Sequence, residues 1–253
     1  MKISIITVCF NSESTIEHAV RSVLSQEKVN LEYIVIDGGS SDQTLVILDR
    51  YRKDIQQLVS EKDEGIYDAL NKGIALATGD VIGILHSDDF YTSPTALFQV
   101  MQKLEQEKTD AVYGDLQYVN RDNPDKIFRN WISGPYTEGL FLKGWMPPHP
   151  VFFAKRACYQ AFGAFNTRFK TSADYELMLR FILKHRIKLS YLPQVLVKMR
   201  VGGKSNVTLL NRLKANREDR LAWKINGLKP GWFTLTLKPL SKLRQFLSGS
   251  RNP

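Results

Sequence analysis

Two adjacent carboxylates, Asp88 and Asp89, follow the apolar run at residues 81–85, separated from it only by His86 and Ser87. Like charges at the end of a buried strand repel each other and lose hydration unless a cation or hydrogen-bond donors compensate. Mg2+ or Mn2+, hard ions that prefer oxygen, would relieve both costs and could bridge a carboxylate to a diphosphate. The same ion can act as a Lewis acid on a departing diphosphate. Two further polar clusters follow apolar runs: Asn11 after residues 3–8, and Asp37-Gly38-Gly39-Ser40-Ser41-Asp42 after residues 33–36. Both also have plain structural readings. Asn11 to Ser14 suit a turn and helix cap, and the Asp37 segment suits a strand-ending turn in which glycine permits positive φ.

The elements that must position these groups are legible from periodicity. Residues 3–8 read as a first strand. Ser14 and Glu17 have capping-box spacing, and Ile16, Ala19, Val20, Val23 and Leu24 fall on one helical face. A second strand at 33–36, a helix at about 42–51, the start of a third strand at Leu58-Val59 and a helix at 66–77 follow. Residues 81–85 form a continuous apolar strand, as in sheets buried on both faces. The alternation predicts an α/β fold with a mostly parallel central sheet flanked by helices. Ligands in such sheets bind outside the carboxyl ends of the strands, where the three polar clusters fall. The second half is less regular. It offers strands at 111–113 and 127–131, a Gly- and Pro-rich stretch with Met146-Pro147-Pro148-His149-Pro150, a strand at 151–153, a helix at 174–183 and a pair of late strands at 189–192 and 195–199.

The 253 residues, 43% apolar and 24% charged, suit a globular chain with a sizeable core. No apolar run reaches the eighteen or so residues of a membrane span, and residues 1–8 read as a core strand rather than a signal peptide. Cys9 and Cys158 lack metal-type spacing and read as buried thiols of a reducing cytoplasm. The net charge of +9 is unevenly placed: residues 198–253 hold thirteen Lys or Arg against Glu218 and Asp219, a local net of +11. There is no G-x-x-x-x-G-K-[ST] loop and no G-x-G-x-x-G, so kinase, ATPase and NAD readings lose their main supports.

Four segments in order, Ile5-Ile6-Thr7-Val8-Cys9-Phe10-Asn11, Asp37 to Thr44, Glu64-Gly65-Ile66-Tyr67-Asp68-Ala69-Leu70-Asn71-Lys72-Gly73 and Ser87-Asp88-Asp89, resemble family 2 glycosyltransferases of the GT-A fold. The likeness spans about residues 3–200 and is greatest to bacterial enzymes of exopolysaccharide and O-antigen assembly. It implies a domain at 1–203, with a nucleotide-sugar-binding half at about 1–115 and an acceptor-binding half at about 116–203, and a basic amphipathic extension at 204–253. It implies that Asp37 accepts a ring N–H of the donor base, that Asp88 binds the ribose and that Asp89 holds the metal. Asn11, Asp68, Asn71 and Lys72 would order the donor pocket, although Lys72 also fits an exposed helical lysine. In the family an acidic pair opens the late helix. Asp174 matches its second member, while Ala173 replaces the first. As general base, Asp174 would drive an inverting displacement; as a helix-start Asp it also fits a cap. His86 stands where relatives often carry Asn or Asp, so metal binding rests on Asp89.

Other residues stay open between two readings. His149 either contacts the diphosphate or acceptor or packs in a rigid loop. Trp145 and Trp131 either stack on acceptor sugars or are buried, and Asp115 ends a strand facing the same pocket. The tail, with Arg212, Lys214, Arg217, Arg220 and Lys224 among Leu209, Leu210, Leu213, Leu221 and Trp223, either lies on an anionic membrane or packs on the domain. The expected partners are a nucleotide-sugar donor and a glycan or polyprenyl-linked glycan acceptor, with no nucleic acid. The expected place of action is the cytoplasm, and the inner membrane's cytoplasmic face if the tail lies on a membrane. Two rival readings are a sugar-phosphate nucleotidyltransferase, whose Gly-rich basic signature is missing after the first strand, and a non-catalytic nucleotide-sugar-binding scaffold.

Overall fold

In a computed structural model, residues 1–202, 209–231 and 234 are described, with side chains in the last helix described from residue 216. In chain order the elements are β1 (Lys2–Cys9), α1 (Ile16–Leu24), β2 (Asn30–Asp37), α2 (Thr44–Asp49), β3 (Gln57–Ser60), α3 (Ile66–Leu76), β4 (Val81–Ile84) and β5 (Asp89–Tyr91). There follow α4 (Ala96–Glu107), β6 (Ala111–Val119), β7 (Ile127–Trp131), β8 (Phe152–Lys155), α5 (Arg156–Phe162), α6 (Ala173–Met178), β9 (Leu189–Arg200) and α7 (Leu209–Ile225). The strands form one sheet in the order β3-β2-β1-β4-β8-β6-β9-β5, with β7 joined to β6. β1, β2, β3 and β4 are mutually parallel. β8 runs antiparallel to both β4 and β6, β9 is parallel to β6, and β5 is antiparallel to β9.

The apolar strands are buried on both faces because helices cover both. Ile3 and Ile5 of β1 pack with α1, α2 and α4, whereas Ile6 and Val8, pointing the other way, pack with α3, α5, α6 and α7. α1 buries Ile16, Ala19, Val20 and Val23, each large aliphatic contributing about 1.5–3 kcal/mol of transfer free energy. α3 sits so close to β1 that a Cβ on Gly73 would fall inside Ile6. The glycine lets the helix that follows the 64–65 turn lie directly on the strand that leads to Asn11.

Several expectations need correction. The Ser14–Glu17 capping box does not form: the Ser12 carbonyl accepts from the N–H groups of Thr15 (3.0 Å) and Ile16 (2.9 Å), and Glu17 accepts from the Tyr51 hydroxyl at 2.8 Å. The expected pair of late strands is a single strand, β9, whose register against β6 shifts twice around Asp115; Pro193, lacking an N–H, lies within it. The helix expected at 174–183 is α6 followed by a π-helical turn, Leu179–Lys184. α4, α5 and the three-residue β5 were not anticipated. Through β5, Asp89 opens a new strand, pairing with Met199, while Asp88 stays in the preceding turn.

Among the described residues, no helix is long and apolar enough to cross a membrane. Cys9 and Cys158 are buried and unbridged. α7 packs on the core through Ala222 and Trp223. The tail residues Leu209, Leu210, Arg212, Leu213 and Lys214 have no described side chains, and 232–253, apart from Thr234, lie outside the described residues.

Candidate functional site

The carboxyl ends of β1, β2 and β4 converge on one side of the sheet, and the carboxylate pair lies there. Asp89 is 1% exposed, and neither of its carboxylate oxygens has a hydrogen-bond partner. Burial first, and then the charge of Asp88, push its pKa well above the usual carboxylate range, with nearby Arg200 opposing. Arg200, at the end of β9, donates to the main-chain oxygen of Asp88 at 2.7 Å and lies 2.6 Å from Nδ1 of His18. His18 stacks on Phe90 with ring centroids 4.1 Å apart. This stack, unforeseen in the sequence because its members lie on α1, β5 and β9, braces the turn that carries Asp88.

Two imidazoles wall the same region. His86 and His149 have ring centroids 5.8 Å apart. Both nitrogens of His149 and Nδ1 of His86 are buried without a partner. Burial, then the neighbouring His86, lowers the His149 pKa to about 3, so its ring is neutral at physiological pH. His86 is likewise lowered by burial, against the charges of Asp88 and Asp174. Asp174, in the first turn of α6, accepts a long 3.4 Å bond from the Tyr67 hydroxyl at the start of α3. The half-buried Tyr118 senses both Asp89 and Asp174. Tyr67 lies within the Glu64–Gly73 segment but was not singled out there; its aromatic body fits the core and only the fold brings its hydroxyl to Asp174.

The first two polar clusters form one knot. Asp37 is fully buried and accepts from the N–H groups of Gly39 (3.1 Å) and Ser40 (2.9 Å), the Ser60 hydroxyl (2.7 Å) and the Ser40 hydroxyl. Asn11, with φ of 49°, accepts from the Ser41 N–H at 2.9 Å and so pins the β1 turn to this loop. Asp68 and Lys72 face the same rim: Lys72 pairs with Glu61 at 2.7 Å and Asp68 at 3.4 Å. Asn71 reaches from α3 to the main chain. Its amide donates to the Phe165 oxygen (2.8 Å) and accepts from the Phe165 N–H (2.9 Å), fastening α3 to the loop before α6.

Asp115 and Trp145 are also committed elsewhere. Asp115 accepts from the Ser133 N–H at 2.7 Å and the Tyr191 hydroxyl at 2.9 Å, closing the irregular stretch of the β6–β9 ladder. The Trp145 indole donates to the Ser133 oxygen at 2.8 Å and packs among Tyr113, Tyr136 and Phe141. Trp131 stacks on Tyr118.

Asp89 fits a hard divalent cation: two buried, unbonded carboxylate oxygens form an acceptor set that such an ion satisfies. Among the described residues no group of three His, Cys, Asp or Glu side chains could hold a metal. One carboxylate with ligands completed by phosphate oxygens and water is the usual Mg2+ pattern.

A family model described as Glycosyl transferase family 2 matches residues 4–162. An uncharacterized glycosyltransferase of Mycobacterium tuberculosis is 32% identical over 183 residues, 72% of this chain and 69% of the relative. The PGL/p-HBAD biosynthesis glycosyltransferase of Mycobacterium bovis is 28% identical over 208 residues, covering 80% and 78%. Among solved structures, S. aureus TarS in complex with UDP-GlcNAc superposes with a TM-score of 0.66 at 17% identity, over 98% of this chain and 79% of that one. The mannosyltransferase PcManGT from Pyrobaculum calidifontis, in complex with GDP-Man and Mn2+, gives 0.65 at 18% identity, over 99% and 76%. These likenesses identify the fold as GT-A.

Proposed function

The chain belongs to glycosyl transferase family 2 and is a glycosyltransferase, and we propose that it inverts the anomeric centre as it moves a sugar from a UDP- or GDP-sugar to a hydroxyl of a growing, polyprenyl-linked cell-surface glycan. The observation that carries the reading is the meeting of Asp89, with its unbonded oxygens, the neutral His86 and His149, and Asp174 at one end of the sheet.

Asp89 would hold Mg2+ or Mn2+ at the donor diphosphate, where the ion supplies Lewis-acid stabilisation of the charge that develops on the leaving group. Asp88, half-exposed at the mouth, takes the ribose hydroxyls. Asp37 meets the base: its acceptor sites are filled by Ser40 and Ser60 in the free chain, and a base N–H replaces the Ser40 hydroxyl. Asn11, Asp68 and Lys72 shape the rim, and Asn71 holds α3 in place. His149 and His86 offer neutral donors to the diphosphate or acceptor. Asp174 takes the proton of the acceptor hydroxyl as its oxygen bonds to the anomeric carbon and the bond to the diphosphate breaks. Trp145 and Asp115 lie behind the acceptor side and hold its wall.

A lipid-linked acceptor agrees with the cationic, partly apolar outer face of α7. That face suits peripheral binding at the cytoplasmic side of the inner membrane. Asp174→Asn is the test. Turnover should fall about 10²- to 10⁴-fold, the span of general acid–base catalysis, while a UDP- or GDP-sugar still protects the protein from thermal unfolding. Full turnover in Asp174→Asn would overturn the assignment.

A further inference from the structure

The segment matched by the family model stops at residue 162, so the Asp174 carboxylate belongs to a part of the chain that this match does not describe. α6, which carries it, has six residues and no side-chain cap at Ser172. It runs on without a break into the π-helical turn Leu179–Lys184, so its start is fixed by the turn that leads into it.

That turn is held by α7. Glu218 accepts from three successive backbone N–H groups, Lys170 at 3.1 Å, Thr171 at 2.9 Å and Ser172 at 3.0 Å, and from the Thr171 hydroxyl at 2.9 Å. Bonds to an ionised acceptor are shorter and about twice as strong as neutral ones. One turn further on, the buried Trp223 indole donates to the Tyr175 hydroxyl at 2.9 Å. Asn226 donates to Glu176 at 3.0 Å. Glu176 is itself fixed by Arg180 at 2.9 Å, and Arg180 grips the carbonyls of Phe162, Gly163 and Ala164. Residues 170–172 and 175–176 are thus held from the α7 side, and Asp174 between them faces Tyr67 and the carboxylate pocket.

We propose that Glu218 is a positioning residue for Asp174, and that α7 is a strut of the catalytic helix. The inference rests on the reading of Asp174 as base. It gives the C-terminal helix a part in the proton-transfer step, separate from anything its outer face binds. A displacement of about 1 Å in a reacting group can cost about 10²-fold in rate, and removing the carboxylate releases the turn by that order.

The test uses the full chain with Glu218→Gln, which keeps the volume and loses the charge. Expected are a fall in kcat of about 10- to 100-fold, a donor KM within about twofold, and intact thermal protection by the nucleotide sugar. On an Asp174→Asn background the same substitution should leave the residual rate within about twofold, because a device that acts through Asp174 has nothing left to align. Leu104→Ala, in the core of α4, controls for lost stability: its Tm should fall while kcat holds. Unchanged kcat in Glu218→Gln overturns the inference, as does an equal loss on the Asp174→Asn background or in Leu104→Ala. Wild-type turnover in Asp174→Asn sinks the base reading itself. A dead Asp174→Asn beside a fully active Glu218→Gln sinks only the strut.

Discussion

Arg200 reaches the main-chain oxygen of Asp88 at 2.7 Å and leaves both carboxylate oxygens of the neighbouring Asp89 without a hydrogen bond. A guanidinium has only donors to offer, so the 2.6 Å contact to His18 makes Nδ1 the acceptor and the imidazole neutral. Burial first and Arg200 next lower the His18 pKa in the same direction. The cation therefore shapes the acidic turn and offsets only part of its charge. A bound divalent ion would find both Asp89 side-chain oxygens open to it.

Asp89→Asn tests that picture through stability. With a pKa raised in the fold, Asp89 favours the folded state most when protonated. Its burden grows as pH rises from the ordinary value near 3.9 through the raised one. Asparagine removes the burden, so the metal-free variant should unfold at or above the wild-type temperature at pH 7.5. It should also lose the stabilisation that Mn2+ with UDP or GDP gives the wild type. A metal-free variant several degrees less stable, with its Mn2+ response intact, would refute the assignment.

Glu32 makes the opposite prediction at the other end of the sheet. It accepts from Lys2 Nζ at 2.8 Å, the Thr78 N–H at 2.8 Å, Ser4 and Thr78 hydroxyls and the Gly79 N–H. Burial works against its charge, but these bonds hold the carboxyl at about 2. With an unfolded value near 4.3, the stabilisation is of order 3 kcal/mol above that pH and is lost as pH falls through about 2. In urea titrations Glu32→Gln should be about 2–3 kcal/mol less stable at pH 7, the gap roughly halving by pH 3. A gap that does not narrow on acidification would show that the network contributes by shape and not by charge.

The outer face of α7 carries the membrane proposal. Arg217, Arg220 and Lys224 are exposed there beside Leu221 and Ile225, which are 42% and 43% exposed. Each basic residue near an anionic surface contributes about 1 kcal/mol. Replacing all three by Glu should abolish flotation with phosphatidylserine or cardiolipin vesicles while turnover on a soluble acceptor stays within about threefold. Flotation equal to wild type would dismiss this face as a lipid contact. Truncation at residue 203 is a poorer experiment, because it also strips Glu218, Trp223 and Asn226 from α6.

Much of the donor side was legible because it is local. β1, β2 and β4 are apolar runs, and the polar residues that end them needed only the rule that α/β sheets bind at strand ends. What those residues touch was not legible. Asp37 meets Ser60, Asn71 meets Phe165 and Asp115 meets Tyr191, contacts set by tertiary packing across intervals no window covers. β5 is three residues long and has no period to detect. α4 is a different case: Leu97, Val100, Met101 and Leu104 make a helical stripe plain in the sequence and absent from the expectations. Of the tail, α7 turns Trp223 inward and Arg217 outward, a division of faces that only the packing sets.

The strand order also bears on how the chain is made. The ladder β3-β2-β1-β4 lies within the first 84 residues, yet the next partner of β4 is β8, at Phe152–Lys155, before β6 can join. During synthesis the outer edge of Val81–Ile84 must wait, unpaired and apolar, until β8 has left the ribosome. An open apolar edge is a template for wrong pairing. A chain stalled between residues 84 and 152 is therefore the species on which a nascent-chain chaperone should act.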